Sequence, residues 1–399
     1  GLLRRRGLDA ASAARLLALD VASGETVWEA RDTVFGSFLN YSEAHDILLQ
    51  STRPSRDQVR GEQGRRMVAY RGATGEVLWD RKFPYRTFPL IHNAHIITES
   101  GMFALATGEP VERAHPLTGE RVPWEWRREY GCNYPIAAES LLTFRSGAAG
   151  FYDLANAGGT GNFGGFKSGC TANLVAADGV LNAPDYTRTC SCAYHNQASL
   201  AMAHMPEADW WTVNYIGRGD GPIARLGVNL GAPGDRRAEN GTLWLEYPFI
   251  GGPTPEIAIQ HQPEEPDWYQ LHTSRVATGP CSWVGASGAR GITTLEIPLA
   301  DGKRGWRAYD VRLYFCEPDA ASAGTRVFHV EVQGAPVAEN LNVAEAAGGP
   351  RRVHVLEASG VRVSDTLRIA LKPADASGPP PIISGVEAVR AGWKQWMEN

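Results

Sequence analysis

The sequence of 399 residues lacks any long uninterrupted apolar run. A membrane-spanning helix needs about 18 such residues, so no membrane span is expected. An excess of positive charge is also missing, because the formal net charge is -5 at pH 7, and this argues against a nucleic-acid partner. Long runs with helical periodicity are absent as well. With 44 glycines and 25 prolines, the chain is expected to be all-β, built from short strands and turns.

The sequence also lacks the strong motifs of common cofactor sites. No Gly-Lys-Ser or Gly-Lys-Thr follows the glycine-rich segment at 158–169, which argues against a phosphate-binding loop. There is no C-x-x-C-H for covalent haem and no pair of C-x-x-C motifs at zinc-ribbon spacing. We therefore expect no cofactor.

Six cysteines are an even number in an all-β chain, which suits an oxidising compartment. An extracytoplasmic location, periplasmic or secreted, is therefore expected. The N-terminus lacks the sections of a signal peptide, so we expect a mature piece or a C-terminal fragment of a longer protein. The disulfide candidates are Cys132, Cys170, Cys190, Cys192, Cys281 and Cys316.

Cys190 and Cys192 stand at alternate positions and cannot easily bond to each other. Each is expected to reach another partner, and Cys132 and Cys170 are the obvious candidates. The alternative is a metal site, since thiolate and imidazole ligands together suit copper or zinc. Its candidate ligands are Cys190, Cys192, His195 and His204.

An eleven-residue phrase at 18–28 returns at 69–79 with every landmark displaced by 51 positions. Both copies carry a Gly-Glu pair and a terminal Trp, and a degraded copy surrounds Gly119. This spacing is typical of four-stranded propeller blades. Each phrase predicts a hairpin in which the glycine adopts positive φ. The Trp is then free to cover the seam between neighbouring blades.

The phrase resembles the tryptophan-docking repeat of the PQQ-like, or quinoprotein-dehydrogenase-like, β-propeller superfamily. The resemblance implies about four to five blades over 1–220, with a glycine- and cysteine-rich loop at 156–192. An open blade edge exposes unpaired backbone. We therefore expect a partial propeller that upstream polypeptide or a second chain completes.

The region 243–391 follows a predicted junction at 221–242 and precedes a tail at 392–399. Its strands alternate in polarity at 309–315, 326–333 and 367–371. In the first of them, Val311, Leu313 and Phe315 share one face, and Tyr309 is assigned elsewhere.

The motifs Y-x-V-R-L-Y-F-x-E at 309–317 and P-I-I-S-G-V-E at 381–387 resemble the malectin and malectin-like family. The resemblance implies a jelly-roll β-sandwich with a carbohydrate-binding role. This sequence departs from the family at Cys316, where a small residue is common. With Cys281 nearby, a Cys281–Cys316 disulfide is expected.

Sugar binding needs aromatic faces flanked by polar groups that take the hydroxyls. A glycan-binding or protein-interaction role is therefore expected, with a glycan ligand as partner. Asp267 is a further polar candidate. The candidate carbohydrate-binding residues are Trp268, Tyr269, Trp283, Tyr309, Tyr314 and Glu317.

The alternative is an enzyme with its active site in the propeller, of quinoprotein-dehydrogenase, hydrolase or lyase type. PQQ with calcium, or copper, would then be the cofactor. Many quinoproteins have two adjacent cysteines, whereas this chain has Cys190-Ser191-Cys192. Groups for acid–base chemistry would come from Arg127, Arg128, Glu129, Tyr130, Tyr186, Arg188 and His195.

Overall fold

The fold is described from a computed structural model of the chain. It describes residues 14–52, 65–83, 85–99, 101–166, 174–184, 199–205, 207–277, 279, 281–302, 305–319 and 324–393. The chain divides into two compact units. Unit 1 consists of Gly1–Arg113, Pro123–Phe151 and Phe163–Ala203, and unit 2 of Ala114–Val122, Tyr152–Asn162 and His204–Asn399.

Nearly all regular structure is β-strand, so the predicted all-β class is confirmed. The strands before residue 214 are β1 (Leu16–Leu19), β2 (Thr26–Ala30), β3 (Phe38–Ser42), β4 (Ile47–Ser51), β5 (Arg66–Arg71), β6 (Val77–Lys82), β7 (Leu90–His92), β8 (His95–Thr98), β9 (Gly101–Ala104), β10 (Glu112–Ala114), β11 (Arg121–Pro123), β12 (Ile136–Ala137), β13 (Leu141–Ser146), β14 (Ala148–Asp153), β15 (Gly159–Asn162), β16 (Val175–Ala177), β17 (Val180–Ala183), β18 (Leu200–Ala203) and β19 (Thr212–Val213).

The later strands are longer on average. They are β20 (Arg225–Leu230), β21 (Arg236–Arg237), β22 (Leu243–Tyr247), β23 (Gln260–Gln262), β24 (Asp267–Gln270), β25 (Ser287–Arg290), β26 (Thr294–Pro298), β27 (Arg307–Cys316), β28 (Val327–Val332), β29 (Ala335–Asn342), β30 (Val353–Val363), β31 (Thr366–Pro373), β32 (Ile382–Ile383) and β33 (Gly385–Arg390). The described helices are a 3₁₀ turn at Thr273–Arg275 and the one-turn α1 (Val343–Ala346). Neither is long and apolar enough to span a membrane.

The sheets of unit 1 are antiparallel meanders. β1 pairs with β2, β3 to β6 form a four-stranded sheet, and β7 to β9 and β16 to β18 form three-stranded sheets. Strands that are neighbours in sequence are therefore neighbours in space, as short hairpins require. Meanders of this size suit propeller blades, but the number of blades and the closure of a ring stay predictions.

The Gly-Glu turn of the repeat occurs four times with the same backbone. Gly24, Gly75, Gly108 and Gly119 have φ of 72°, 73°, 68° and 75°. In each turn the glycine N–H donates to the carbonyl four residues earlier, at 2.7 to 2.8 Å. The predicted positive φ is confirmed. The sequence interpretation missed the turn at Gly108, because no Trp follows it at the repeat offset.

Two of the repeat tryptophans, Trp28 and Trp79, pack on a glycine turn further along the chain. Trp28 donates its indole N–H to the Gly72 carbonyl at 2.8 Å, and a Cβ added to Gly75 would lie 2.6 Å from its ring. Trp79 covers Gly108 in the same way, with 3.1 Å between its ring and an added Cβ. Trp28 and Trp79 each cover a later Gly-Glu turn, and an added Cβ at Gly75 would displace the indole. That these contacts form the seam between propeller blades stays a prediction.

Unit 2 contains a β-sandwich. Its six-stranded sheet has the order β21-β22-β20-β33-β27-β30, and its five-stranded sheet has the order β23-β26-β31-β28-β29. Val228 and Leu313 from the first sheet share one apolar cluster with Phe328 and Ile369 from the second. The two sheets thus face each other across a common core. A third sheet, β24-β25-β32, completes the unit.

Several local predictions need correction. The predicted junction at 221–242 contains β20, which lies between β22 and β33. The predicted loop at 156–192 contains β15, β16 and β17. Residues 90–97 form the β7–β8 hairpin around Asn93, whose φ is 52°. Tyr309 is fully buried in the same core cluster as Val311, as the two-residue period of a strand requires.

Candidate functional site

The structure buries five of the six predicted sugar-binding side chains. Tyr309 is 0%, Glu317 1%, Tyr314 5%, Tyr269 8% and Trp283 8% exposed. A ring that stacks on a sugar has to present a face to solvent. The four aromatic rings therefore have no free face for a sugar in this structure, and Glu317 is equally buried.

Each buried aromatic residue has a packing or hydrogen-bonding reason for its position. The hydroxyl of Tyr309 donates to a backbone carbonyl at 2.7 Å, and the hydroxyl of Tyr269 lies 2.9 Å from a serine hydroxyl. Trp244 packs edge-on against Trp283, with 5.6 Å between centroids, and against Tyr314, with 5.0 Å. Hydroxyl groups buried in this way form their hydrogen bonds within the protein. They therefore have no hydrogen bond left to donate to a ligand.

Glu317 belongs to a buried ionic network. Its carboxylate accepts a hydrogen bond from Arg326 at 2.7 Å, and the two side chains are 1% and 3% exposed. Arg326 also lies 3.8 Å from Asp319. Arg290 binds both Asp319 and Asp267 at 2.9 Å. The network connects the end of β27 with β24 and β25, and removal of one buried member leaves an uncompensated charge.

Trp268 is the predicted candidate that stays partly exposed, and it belongs to an aromatic cluster. Its ring centroid lies 6.0 Å from Tyr247 and 5.8 Å from His261. Tyr247 and His261 are 5.7 Å apart, and both are partly exposed. The interplanar angles are 67°, 86° and 87°. Edge-to-face contacts of this kind fix the orientation of the rings, so the cluster is a preformed aromatic surface.

The cluster brings together residues from three sheets. Tyr247 ends β22, His261 is the middle residue of β23, and Trp268 lies in β24. Strand alternation in β24 turns Tyr269 inward and leaves Trp268 at the surface. The sequence interpretation missed Tyr247 and His261, because no local sequence pattern shows that β22, β23 and β24 lie close together.

His261 gives the cluster a polar group of defined orientation. Its Nδ1 lies 2.8 Å from the carbonyl oxygen of Pro263. A carbonyl can only accept, so Nδ1 carries the proton of this hydrogen bond. In the neutral imidazole, Nε2 is then an acceptor. A hydrogen-bond acceptor beside a partly exposed indole suits a sugar hydroxyl, which can donate a hydrogen bond.

Unit 1 contains a cavity of about 730 Å³, a volume within the range of ligand pockets. The segment 127–130, a candidate source of catalytic groups, lines it. Arg128 is held in the wall by Glu99 at 2.7 Å. The partner groups Tyr186 and Arg188 lie outside the described residues. The walls are charged and aromatic, with Arg65, Tyr85, Arg86, Glu99, Glu125, Trp126, Arg127, Arg128, Glu129, Tyr130 and Gly131.

The cysteines that the structure describes, Cys132, Cys281 and Cys316, are unpaired. The expected Cys281–Cys316 disulfide is therefore not formed. Cys281 packs beside the Trp244 cluster, whereas Cys316 packs with Val276. Burial raises the pKa of Cys281 to about 11 and that of Cys316 to about 12. Both thiols are thus protonated and unreactive at neutral pH.

The other predicted cysteine pairings and the predicted metal site involve mostly residues outside the described ranges. Cys170, Cys190 and Cys192 lie outside the described residues, as does His195. His204 is described and exposed. Within the described ranges, no group of three His, Cys, Asp or Glu side chains is placed to hold a metal ion.

A comparison with protein families matches the malectin domain at residues 304–372. The predicted malectin resemblance is confirmed over this range, whereas the PQQ-like propeller stays a prediction. A search of curated proteins finds no match.

Similar solved structures cover part of the chain. The plant receptor-like kinase FER has a TM-score of 0.28 and 15% identity, over 41% of this chain and 41% of that chain. The ANXUR1 extracellular domain from Arabidopsis thaliana has a TM-score of 0.30 and 14% identity, over 42% of each chain. A Bacteroides uniformis β-glucuronidase has a TM-score of 0.34 and 10% identity, over 66% of this chain and 29% of that chain. This chain spans less than half the length of each.

Proposed function

We propose that the chain is an extracytoplasmic glycan-binding protein whose ligand binds in unit 2, at the cluster of Trp268, His261 and Tyr247. The observation that carries this proposal is the partly exposed aromatic cluster, which lies in the same unit as the malectin match at 304–372. The repeats of unit 1 serve as a scaffold.

Each side chain of the cluster has a separate task in this proposal. The apolar face of a pyranose packs on the indole of Trp268, which supplies most of the buried area. Nε2 of His261 accepts a hydrogen bond from a sugar hydroxyl and so orients the sugar ring. Tyr247, whose hydroxyl donates to the Ile259 carbonyl at 3.3 Å, holds both rings in place.

The proposal is tested with the full chain on a glycan array, followed by titration calorimetry of the best ligand. We expect Trp268→Ala to weaken binding at least tenfold, because loss of a stacking partner and its apolar area removes about 1.5 kcal/mol or more. The expected spectral control is an unchanged far-UV circular dichroism spectrum.

Trp306→Ala is the matched control. Trp306 is also in unit 2, is 57% exposed, and has the Arg362 guanidinium 3.7 Å from its ring centroid. It lies outside the cluster, so its loss should leave glycan affinity unchanged. Equal affinity of Trp268→Ala and the unmodified protein, or an array with no bound glycan, would refute the proposal.

A further inference from the structure

The cavity of unit 1 is not used by the proposed function. Its volume of about 730 Å³ suits a ligand of several sugar rings rather than a single ion. At the open end of the β5–β6 hairpin, the Phe83 N–H donates to the Arg65 carbonyl at 2.9 Å. Beside it, the Tyr85 hydroxyl donates to the Arg66 carbonyl at 2.8 Å. These two hydrogen bonds bring Arg65 and Arg86 to the same part of the cavity wall.

The segment 125–131 forms another part of the wall, and internal contacts fix it. The indole N–H of Trp126, which is 2% exposed, donates to the Thr98 carbonyl at 2.7 Å. Arg128 lies 2.7 Å from Glu99 and donates to the Asn133 carbonyl at 2.9 Å. The packing of unit 1 therefore holds this side of the cavity in place before any ligand binds.

The lining carries a surplus of positive charge, although the formal net charge of the chain is -5. Its described residues include four arginines and three glutamates. Two of the glutamates, Glu99 and Glu125, form ion pairs with arginines of the same wall. Arg65 and Arg86 are exposed, and neither guanidinium forms a hydrogen bond or an ion pair with a described residue. The cavity therefore offers two guanidinium groups to an anionic ligand.

From these contacts we propose that the cavity of unit 1 binds an oligosaccharide that contains uronate residues. A planar guanidinium binds a carboxylate through two parallel hydrogen bonds, so Arg65 and Arg86 hold the uronate carboxylates. Tyr130, which is 74% exposed, offers a ring face to the apolar side of a sugar. The carboxylate of Glu129 accepts hydrogen bonds from sugar hydroxyls. The glutamates of the wall repel the closely spaced phosphates of a nucleic acid, which favours a sugar.

The first experiment is titration calorimetry of the full chain with trigalacturonate and with its fully methyl-esterified form. The two ligands have the same hydroxyl groups and differ in charge. We expect the acid to bind about tenfold more tightly or better, because hydrogen bonds between charged groups are stronger than those to a neutral ester. In about 1 M salt, where the Debye length is about 3 Å, this preference should shrink.

Arg65→Gln and Arg86→Gln each remove one guanidinium from the cavity. Both positions are exposed, so the fold should be kept, and far-UV circular dichroism checks this. We expect each variant to bind trigalacturonate about tenfold more weakly and the methyl ester with unchanged affinity. Arg31→Gln is the matched control, because Arg31 is also in unit 1, is 58% exposed and does not line the cavity. It should bind both ligands as the unmodified chain does.

Several results would overturn the proposal. No binding of trigalacturonate, or equal affinity for its methyl ester, would show that the cavity does not recognise a uronate. Undiminished affinity in both arginine variants would place the ligand elsewhere, and equal competition by a short DNA duplex would indicate a general polyanion surface. Trp268→Ala should bind trigalacturonate as the unmodified chain does, because Trp268 belongs to unit 2. The two glycan proposals therefore succeed or fail independently.

Discussion

The repeat turns share one backbone conformation, but different side chains accept the hydrogen bonds of their backbone N–H groups. Asp20 accepts backbone N–H groups of its own turn at 2.7 and 3.0 Å. His115 does the same through Nδ1, at 3.3 Å. Arg71 has no acceptor, and Asp46 from the preceding hairpin supplies one at 3.3 Å. Asp20 is thus one solution among several, while the glycine of positive φ is common to all.

The glycines of two turns provide a matched pair for a stability test. Gly75 and Gly24 have φ of 73° and 72°, but only Gly75 is covered, by the Trp28 indole at 2.6 Å from an added Cβ. Gly24→Ala should cost about 1 kcal/mol through backbone strain alone. Gly75→Ala should cost about 1 to 3 kcal/mol more, because the indole has to move. Urea unfolding measures both; equal losses would contradict the docking role of Trp28.

In unit 2 the candidate glycan surface includes a strand at the edge of a sheet, β24. β24 is four residues long, and its alternation places Tyr269 in the core and Trp268 at the surface. Ion pairs connect β24 and β25 with the residues that follow β27, through Asp267, Arg290, Asp319, Arg326 and Glu317. A short edge strand and these ion pairs therefore hold the candidate glycan surface against the sandwich.

The Glu317–Arg326 pair should be a strong stabiliser of this element. Glu317→Gln leaves the buried Arg326 with only the more distant Asp319, at 3.8 Å, as countercharge, and we expect a loss of about 3 kcal/mol in the free energy of unfolding. Glu357→Gln is the control, because its pair with Arg312 is 64% and 45% exposed and should contribute less than about 1 kcal/mol. Denaturant unfolding monitored by tryptophan fluorescence compares the two variants. Similar losses would mean that the buried pair is not specially stabilising.

At the scale of the whole molecule, the repeats predict more strands than the described part of unit 1 contains. The sheet of the first repeat has two strands, β1 and β2, whereas that of the second has four. An edge strand exposes unpaired N–H and C=O groups and tends to pair with another chain.

We therefore expect the 399-residue chain to associate with a copy of itself or with an additional polypeptide. Light scattering after size exclusion measures its mass directly. A stable, monodisperse monomer at micromolar concentration would contradict the expectation that other polypeptide completes the ring. Such a result would leave the glycan proposal at Trp268 unchanged, since it rests on unit 2.

The sequence by itself determined the features that depend on neighbours along the chain. Alternation located β27, β28 and β31, and the Gly-Glu phrase located turns of positive φ and the docking of Trp28 and Trp79. These succeed because a strand has a two-residue period and a tight turn a fixed glycine position.

Only the tertiary structure decided which aromatic residues face solvent and which charges meet. Tyr309 and Trp268 are equally good aromatic candidates in the sequence. In the structure, however, Tyr309 is covered by the second sheet and Trp268 is not. Asp235 and Glu246 lie next to each other because β21 pairs with β22. Their spacing in the sequence does not predict this contact. The burial of a side chain depends on which distant parts of the chain pack over its strand. The local periodicity of the sequence does not contain this information.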